Sequence, residues 1–283
     1  MTVFTAVLLG IIQGLTEFLP ISSTAHLTLA GKLLGLIDPQ HPEAWTAFIA
    51  VMQLGTLAAV VLYFLQDVFG MAAAVVRDIG NKLSGTVEPL AAKTKLALFI
   101  VIGTVPVGLA GIFFKDIIHG MFTKSTIVII ASLVTLAAML WLAEKVALHR
   151  RTIQQATWVD GLVVGIAQAF ALIPGSSRSG TTITAALFLG LTREAAARFS
   201  FLLSIPAVLA SGIYEMKDID PSVFTLGIGN LVVATLVSAV AGYAAIAWLL
   251  RYVSKHTTMI FVWYRVALGL ALCLMLLAGA IQP

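Results

Sequence analysis

The chain has 283 residues, of which 60% are hydrophobic and only 11% are charged, and its formal net charge is +4. A soluble domain is about half apolar and a quarter charged, so this composition excludes an ordinary soluble protein and indicates an integral membrane protein built from helices. The basic residues are scattered between apolar stretches, which argues against nucleic-acid binding. Cys273 is the only cysteine, which excludes an internal disulfide and a cysteine-based zinc site.

Eight hydrophobic blocks are visible along the chain. The first covers about residues 2–36 and is interrupted at Pro20, because proline removes a backbone donor and ends a helix. A second interrupted block covers about 158–191, with its break at Pro174-Gly175. Between them, the connector from Gln66 to Lys95 has the spaced apolar residues of an amphipathic helix on the bilayer surface. Six uninterrupted spans are predicted near residues 45–65, 94–114, 125–143, 197–214, 222–250 and 258–281.

The two interrupted blocks resemble each other. Gly10-Ile-Ile-Gln13 parallels Gly165-Ile-Ala-Gln168, and Pro20-Ile-Ser-Ser23 parallels Pro174-Gly-Ser-Ser177. Both blocks close on the tripeptide Leu-Gly-Leu. These matches indicate an internal duplication with a period of about 150 residues.

The duplication predicts a fold. A hairpin returns to the side from which it entered, so the three crossings that follow it place the second half upside down. We therefore predict a single all-α polytopic membrane domain with inverted-topology repeats, residues 1–150 and 151–283. Each repeat is a re-entrant, broken helical hairpin followed by three transmembrane helices, and the paired hairpins form the site near the middle of the membrane.

Loop charges predict the orientation, because cytoplasmic loops carry an excess of lysine and arginine. Four basic residues lie on the side of the termini and eleven on the opposite side, so the second side is predicted to be cytoplasmic. Both termini and the entrance of the first hairpin then face outward. The four are Lys32, Lys115, Lys124 and Lys217, and the eleven are Arg77, Lys82, Lys93, Lys95, Lys145, Arg150, Arg151, Arg193, Arg198, Arg251 and Lys255.

The first interrupted block carries candidate catalytic groups. Gln13 and Glu17 are four residues apart and share one face of a helix, where their oxygens suit a hard divalent cation. Ser22 or Ser23 is a candidate nucleophile, and one of them is also expected to cap the helix after the proline. His26 lies one turn further on, as a base and then as a proton donor to the leaving group.

The second interrupted block reads as a phosphate cradle. Gly175 permits a tight turn, Arg178 supplies a planar cation suited to phosphate oxygens, and a helix beginning near Ser179 directs its amides to the same place. The lysine of a P-loop is missing, so nucleotide binding is not implied. The hydroxyl donors of this segment are Ser176, Ser177, Ser179, Thr181 and Thr182.

These two motifs resemble the undecaprenyl-diphosphate phosphatase family of the BacA or UppP type, over about residues 4–275. The family's acidic motif is Glu or Gln, three residues, then Glu, and it falls on Gln13 and Glu17, with glutamine where some members have a second carboxylate. Its Ser-Ser-Thr-x-His stretch falls on Ser22, Ser23, Thr24 and His26. Its Pro-Gly-x-Ser-Arg-Ser-x-x-Thr motif falls on Pro174, Gly175, Ser177, Arg178, Ser179 and Thr182.

The resemblance implies hydrolysis of C55 undecaprenyl diphosphate to the carrier-lipid monophosphate used in cell-wall synthesis. It also implies a divalent cation, Mg or Ca, and a site that opens toward the periplasm from the bacterial inner membrane. Ser23, His26, Glu17 and Arg178 are then the catalytic residues, although water or His26 itself remains open as the nucleophile. Arg265, inside the last span, is expected to extend to the cytoplasmic surface.

A different class of function fits the same architecture. Many secondary transporters are built from inverted repeats with broken helices, so the chain is alternatively a transporter or flippase for an anion or a lipid phosphate. A transporter does not need a nucleophile beside a base, and Ser23 and His26 therefore favour the enzyme. The oligomeric state is left open between a monomer and a homodimer.

Overall fold

The computed structural model describes residues 1–37, 42–86, 88–114, 125–217 and 227–281. Within these ranges the chain forms eleven α-helices and no strand, as the all-α prediction requires. The helices are α1 (Val3–Phe18), α2 (Ser23–Leu33), α3 (Pro42–Tyr63), α4 (Leu65–Leu83), α5 (Ala92–Phe113), α6 (Thr126–Val146), α7 (Trp158–Phe170), α8 (Arg178–Phe188), α9 (Arg193–Lys217), α10 (Ile228–Val253) and α11 (Met259–Leu277).

Five described helices, α5, α6, α9, α10 and α11, are long and apolar enough to cross a membrane. A sixth candidate is the pair α3 and α4, which are bent by 71° at a short break. The multi-pass prediction is thus confirmed. The amphipathic connector is α4, which leaves Phe69, Val76 and Ile79 exposed. Of the span predicted near 222–250, residues 222–226 lie outside the described residues.

The two broken blocks form two similar hairpins, α1–α2 and α7–α8. Both second helices have 11 residues, begin after an N-cap serine with positive φ, and are followed, two residues after their last residue, by a glycine with positive φ. The N-caps are Ser22 and Ser177, so Ser22 corresponds to Ser177. The pairing of Ser23 with Ser177 in the sequence alignment is therefore wrong by one residue, because the proline lies at a different position in each turn. The division into inverted repeats 1–150 and 151–283 stays a prediction.

Small residues let the first helix of each hairpin approach a membrane span closely. α1 packs on α10, where a Cβ at Gly10 would lie 2.6 Å from the carbonyl oxygen of Ala234. α7 packs on α5, where a Cβ at Gly165 would lie 2.3 Å from the carbonyl oxygen of Gly103. Helices in lipid associate through such close contacts, since burial of apolar surface gives little driving force there. Each hairpin is thereby anchored to a span.

Buried ion pairs gather at one end of the helical bundle. Glu144, at the end of α6, accepts hydrogen bonds from Arg193 at the start of α9 and, at 2.7 Å, from the Thr258 hydroxyl before α11. Arg151 binds Asp160 with both terminal nitrogens, at 2.8 and 2.6 Å, and this hydrogen bonding raises the pKa of the arginine above its usual value. These contacts bring together helix ends that the charge analysis placed on one side.

The opposite end holds the amino terminus. The Asn230 side chain, in α10, donates to the carbonyl oxygen of Met1 at 2.6 Å, and Lys32 donates to the Thr126 hydroxyl at 2.9 Å. Thr126 and Glu144 lie at opposite ends of α6, so Lys32 lies at the end away from the ion pairs. Lys115 and Lys124, which also belong to that analysis, lie outside the described residues. The assignment of this end to the periplasm stays a prediction.

Candidate active site

The first helix break positions Glu17 and Ser23. α1 ends at Phe18, and the ring of Phe18 packs edge-on against Phe201 of α9, with 5.4 Å between ring centroids. The turn then places Ser22 at φ 76°, where its hydroxyl accepts a hydrogen bond from the Ala25 amide at 3.3 Å. Ser22 is therefore the cap, and Ser23, the first residue of α2, keeps its hydroxyl free for another contact.

The second break positions Arg178 in the same way. Gly175 has φ 87°, and a Cβ there would lie 2.6 Å from the carbonyl oxygen of Ile129 in α6, so only glycine fits the turn. Ser177 caps α8 by accepting a hydrogen bond from the Gly180 amide at 3.1 Å. Arg178 is the first residue of α8 and thus corresponds to Ser23 of α2.

Both first residues bind the same carboxylate. Arg178 Nη2 lies 2.5 Å from Glu17 Oε1, and the Ser23 hydroxyl donates to Glu17 Oε2 at 2.7 Å. Gln13 Nε2 donates to Oε2 as well, at 3.2 Å. The Glu17 side chain is only 5% exposed and that of Arg178 18%, so this cluster is largely shielded from solvent. The structure therefore brings together four of the residues that the sequence singled out.

The remaining hydroxyls of the second motif stabilise the breaks. Ser179 donates to the carbonyl oxygen of Leu19 at 3.0 Å, which ties α8 to the first break. Thr182 donates to the carbonyl oxygen of Arg178 at 2.7 Å and lies 2.6 Å from the Ser200 hydroxyl. Ser176 is buried. In this state Ser179 and Thr182 are occupied by protein, so their predicted role in substrate binding is not visible in the geometry.

In the described part of the chain, the hydrogen bonds of His26 go to residues other than Ser23. Its Nδ1 lies 2.6 Å from the carbonyl oxygen of Ser22, and its Nε2 lies 2.6 Å from the Tyr264 hydroxyl of α11. A carbonyl oxygen can only accept, so Nδ1 carries the proton, and in the neutral ring Nε2 then accepts a hydrogen bond from the Tyr264 hydroxyl. Thr24, the residue after Ser23, is exposed. His26, which the sequence analysis predicts to be the base, therefore points toward Tyr264 of α11.

Arg265 overturns an expectation from the sequence. It is 0% exposed and does not reach the cytoplasmic surface. Its Nη1 donates to the carbonyl oxygen of Pro20 at 3.0 Å, and its Nη2 donates to those of Gly175 and Ser176 at 2.8 and 3.2 Å. The carbonyl oxygens at the two helix breaks accept hydrogen bonds from the guanidinium, so the side chain stays inside the protein instead of extending to the surface. The sequence does carry a signal for this buried position, which is an arginine inside a membrane span, because such residues generally face the protein interior.

Two helix N-termini also meet near Glu17. The backbone amides of Ser23 and Arg178, the first residues of α2 and α8, donate to no other residue in the described parts of the chain. Such amides carry partial positive charge and favour anions. Arg178 adds a fixed fork of donors, of which Nη1 makes only a long contact, 3.5 Å, to the carbonyl oxygen of Ser204. The site therefore has unused donors for an oxyanion.

The donor set also suits a hard cation. Gln13 is fully buried, and its Oε1 has no hydrogen-bond partner among the residues that the structure describes. This orphaned oxygen lies on the same helix face as the Glu17 carboxylate, and oxygens of this kind are the ligands that Mg and Ca prefer. Among the described residues no group of three His, Cys, Asp or Glu side chains gathers, so a cation here relies on few protein ligands.

Comparisons with known proteins agree with these motifs. The family model described as bacitracin resistance protein BacA matches residues 6–271. The chain is 52% identical to an undecaprenyl-diphosphatase of Syntrophobacter fumaroxidans, over 96% of each chain. It is 48% identical to an undecaprenyl-diphosphatase of Myxococcus xanthus, covering 100% of this chain and 92% of the relative. The chain therefore belongs to the bacitracin resistance protein BacA family.

Proposed function

We propose that this chain is an integral membrane phosphatase that hydrolyses undecaprenyl diphosphate to undecaprenyl phosphate and inorganic phosphate. The product is the carrier lipid used again for peptidoglycan synthesis, and its regeneration accounts for bacitracin resistance. Relatives that match nearly the full chain at about half identity carry the name of this activity. The family and the site geometry point to the same chemistry.

The observation that carries the proposal is the convergence of Ser23, Glu17 and Arg178. They come from two helix breaks, yet both Ser23 and Arg178 bind the Glu17 carboxylate. A hydroxyl nucleophile beside an arginine and two helix N-termini suits transfer of a phosphoryl group, since positioned donors stabilise the charge of the transferred group. The diphosphate enters between the hairpins, and Arg178 binds its distal phosphate.

Ser23 attacks the distal phosphorus. The bond from Ser23 Oγ to phosphorus forms as the bond from phosphorus to the bridging oxygen breaks, and undecaprenyl phosphate leaves. The Ser23 proton passes to Glu17, whose Oε2 already accepts it at 2.7 Å. Water then attacks the phosphoserine, the bond from phosphorus to Ser23 Oγ breaks, inorganic phosphate is released, and Ser23 Oγ takes its proton back from Glu17. The alternatives are direct attack by water or attack by His26, and substitution of Ser23 distinguishes both of them from attack by Ser23.

His26 accepts a proton at Nε2 from the water that attacks the phosphoserine and passes it to the inorganic phosphate. Undecaprenyl phosphate leaves as an anion, because Nε2 of the neutral ring carries no proton to donate to it. In the free enzyme, its Nε2 is covered by the Tyr264 hydroxyl. Catalytic hydrogen bonds commonly tighten or exchange only when substrate is bound. The ring can present Nε2 to the substrate once the tyrosine releases it, while the bond from Nδ1 to Ser22 keeps the ring in place.

A divalent cation, Mg or Ca, is proposed as the cofactor. Glu17 and Gln13 would hold it, and substrate oxygens and water would complete its shell. When bound, it neutralises charge on the phosphate oxygens. Every group of this site comes from one chain, so a monomer or a homodimer is equally competent.

We also propose the finer location. The charge-rich end of the bundle faces the cytoplasm, as the loop charges predict. Both termini and the opening of the first hairpin then face the periplasm of the bacterial inner membrane, which gives the site access to lipid diphosphate in the outer leaflet.

The experiment is phosphate release from undecaprenyl diphosphate by detergent-solubilised protein. No membrane separates compartments in detergent, so a transporter or flippase gives no product there. Multiple turnovers by the wild type support hydrolysis. Absence of phosphate release, together with movement of the lipid across reconstituted vesicles, would replace the phosphatase with a transporter.

A further inference from the structure

Arg265 is an arginine enclosed by protein, with no carboxylate partner in the described part of the chain. It is 0% exposed, and all of its hydrogen bonds go to backbone carbonyl oxygens. A cation buried in this way is costly, so its presence calls for a function. Its hydrogen-bond partners lie on three segments other than α11, and these partners indicate what the function is.

Those partners are the two helix breaks and one span. Nη1 binds the Pro20 carbonyl of the first break, and Nη2 binds the Gly175 and Ser176 carbonyls of the second. Nε donates to the Leu133 carbonyl of α6 at 3.3 Å. Carbonyls at a break have lost their helical donors, and leaving them unpaired inside a membrane is expensive. One side chain satisfies them on both hairpins.

The guanidinium is planar, and its donors have a fixed geometry. Binding one break with each terminal nitrogen therefore sets the distance between the breaks. Ser23 follows Pro20 by three residues, and Arg178 follows Gly175 by three, so this distance also sets the separation of the nucleophile from the phosphate-binding arginine. α8 encloses the guanidinium tightly, since a Cβ at Gly180 would lie 3.1 Å from Nη1.

We propose that Arg265 is a positioning residue that holds the two helix breaks at the spacing required for catalysis. This inference rests on the proposed phosphatase function for its kinetic test. Arg265 does not itself touch the substrate. Lysine keeps the charge but presents a single point of attachment, and glutamine keeps two donors but loses the charge, so neither can hold three carbonyls of two breaks at once.

The kinetic arm compares Arg265→Lys and Arg265→Gln with the wild type. Both variants are expected to lose about 100-fold in kcat, since misplacement of reacting groups by about 1 Å has that effect, while KM changes less than about threefold. Arg198→Lys, at the charged end of the bundle, is the matched control and keeps wild-type kinetics. Wild-type kcat in a folded Arg265→Lys protein would overturn the inference.

The structural arm measures the spacing directly. Spin labels at Leu33→Cys and Phe188→Cys, in a Cys273→Ser background, report the distance between the ends of α2 and α8, which are exposed and away from the site. A single narrow distance is expected in the wild-type background, with broadening in both Arg265 variants. A broad distribution without any Arg265 change overturns the inference even if the variants do not fold.

The two arms separate the possible failures. A lower melting temperature with unchanged kcat and unchanged label distance would make Arg265 merely structural. If the wild type releases no phosphate, the proposed function fails, while the label distances still test whether Arg265 holds the breaks together.

Discussion

Arg178 Nη2 and Glu17 Oε1 lie 2.5 Å apart although 161 residues separate them in the chain. Each residue belongs to a different helix break, so the contact exists only when both hairpins are in place. The site is therefore formed by residues from both halves of the chain. The first prediction concerns this pair.

Replacing Arg178 with Met leaves the Glu17 carboxylate buried without a counter-charge. The loss of one partner of a buried pair is expected to lower the free energy of unfolding by about 3 kcal/mol. The double variant Glu17→Gln, Arg178→Met should recover most of that stability and remain inactive. Unfolding in detergent and phosphate release measure the two effects separately. Activity in the stable double variant would exclude the pair from catalysis.

Ser23→Ala removes the proposed nucleophile and one donor to Glu17. We expect phosphate release to fall to background while the protein remains folded, since the change only shortens a half-buried side chain at the start of α2. Ser254→Ala, on the exposed end of α10, is the control and keeps full activity. Substantial turnover in Ser23→Ala would move the nucleophile to water or His26.

Tyr264→Phe keeps the ring that stacks on His26, with 5.6 Å between centroids, and removes only the hydroxyl. Because this hydrogen bond must break before Nε2 reaches the substrate, its loss is expected to raise kcat/KM by about fivefold, in line with about 1 kcal/mol for one such bond. Nitrogen NMR of the wild-type His26 ring should show a protonated Nδ1. Tyr243→Phe, whose ring packs on Tyr63, serves as the control. A ring protonated only at Nε2 would contradict the assignment.

Gly165→Ala tests the close contact between α7 and α5. The new Cβ would lie 2.3 Å from the Gly103 carbonyl oxygen, so the helices must separate and the free energy of unfolding should fall by about 2 kcal/mol. Gly108→Ala is the matched control on α5, because no atom lies within 4 Å of its added Cβ. Equal melting temperatures for both variants would show that the hairpin is not anchored there.

Gln13→Glu tests the proposed cation site. A second carboxylate beside Glu17 should raise the affinity for Mg or Ca severalfold, because hard cations prefer charged oxygens. Calorimetric titration of the purified protein measures this without relying on activity. Gln13→Leu removes the orphaned oxygen and should weaken binding. Equal affinity in all three proteins would place the cation elsewhere.

The sequence was sufficient for the parts of the fold that depend on local pattern. Apolar spans, the helix break at Pro20 and the amphipathic α4 all follow from composition and periodicity over short windows. The candidate residues Glu17, Ser23 and Arg178 were also identifiable, because polar groups in apolar blocks are conspicuous. The predicted pairing of the hairpins placed them in one site, whereas the contacts of Ser23 and Arg178 with the Glu17 carboxylate are seen only in the structure.

Other features depend on three-dimensional placement. The short distance of Arg265 from the end of its span predicts a side chain that reaches the surface. The side chain is buried instead, because its carbonyl partners come from segments far away in the chain. Tyr264 gave no local signal, since a tyrosine in a span usually faces an interface. Matching the two breaks at their prolines misaligns them by one residue, because the structurally equivalent positions are the N-cap serines with positive φ.

The most direct measurement follows undecaprenyl diphosphate labelled with ³²P in its distal phosphate, added to the solubilised wild type, Ser23→Ala and Arg178→Lys. The phosphatase account predicts many labelled phosphates released per wild-type molecule and a loss of at least about 100-fold in each variant. Release at the wild-type rate from both variants, or none from the wild type, would contradict it.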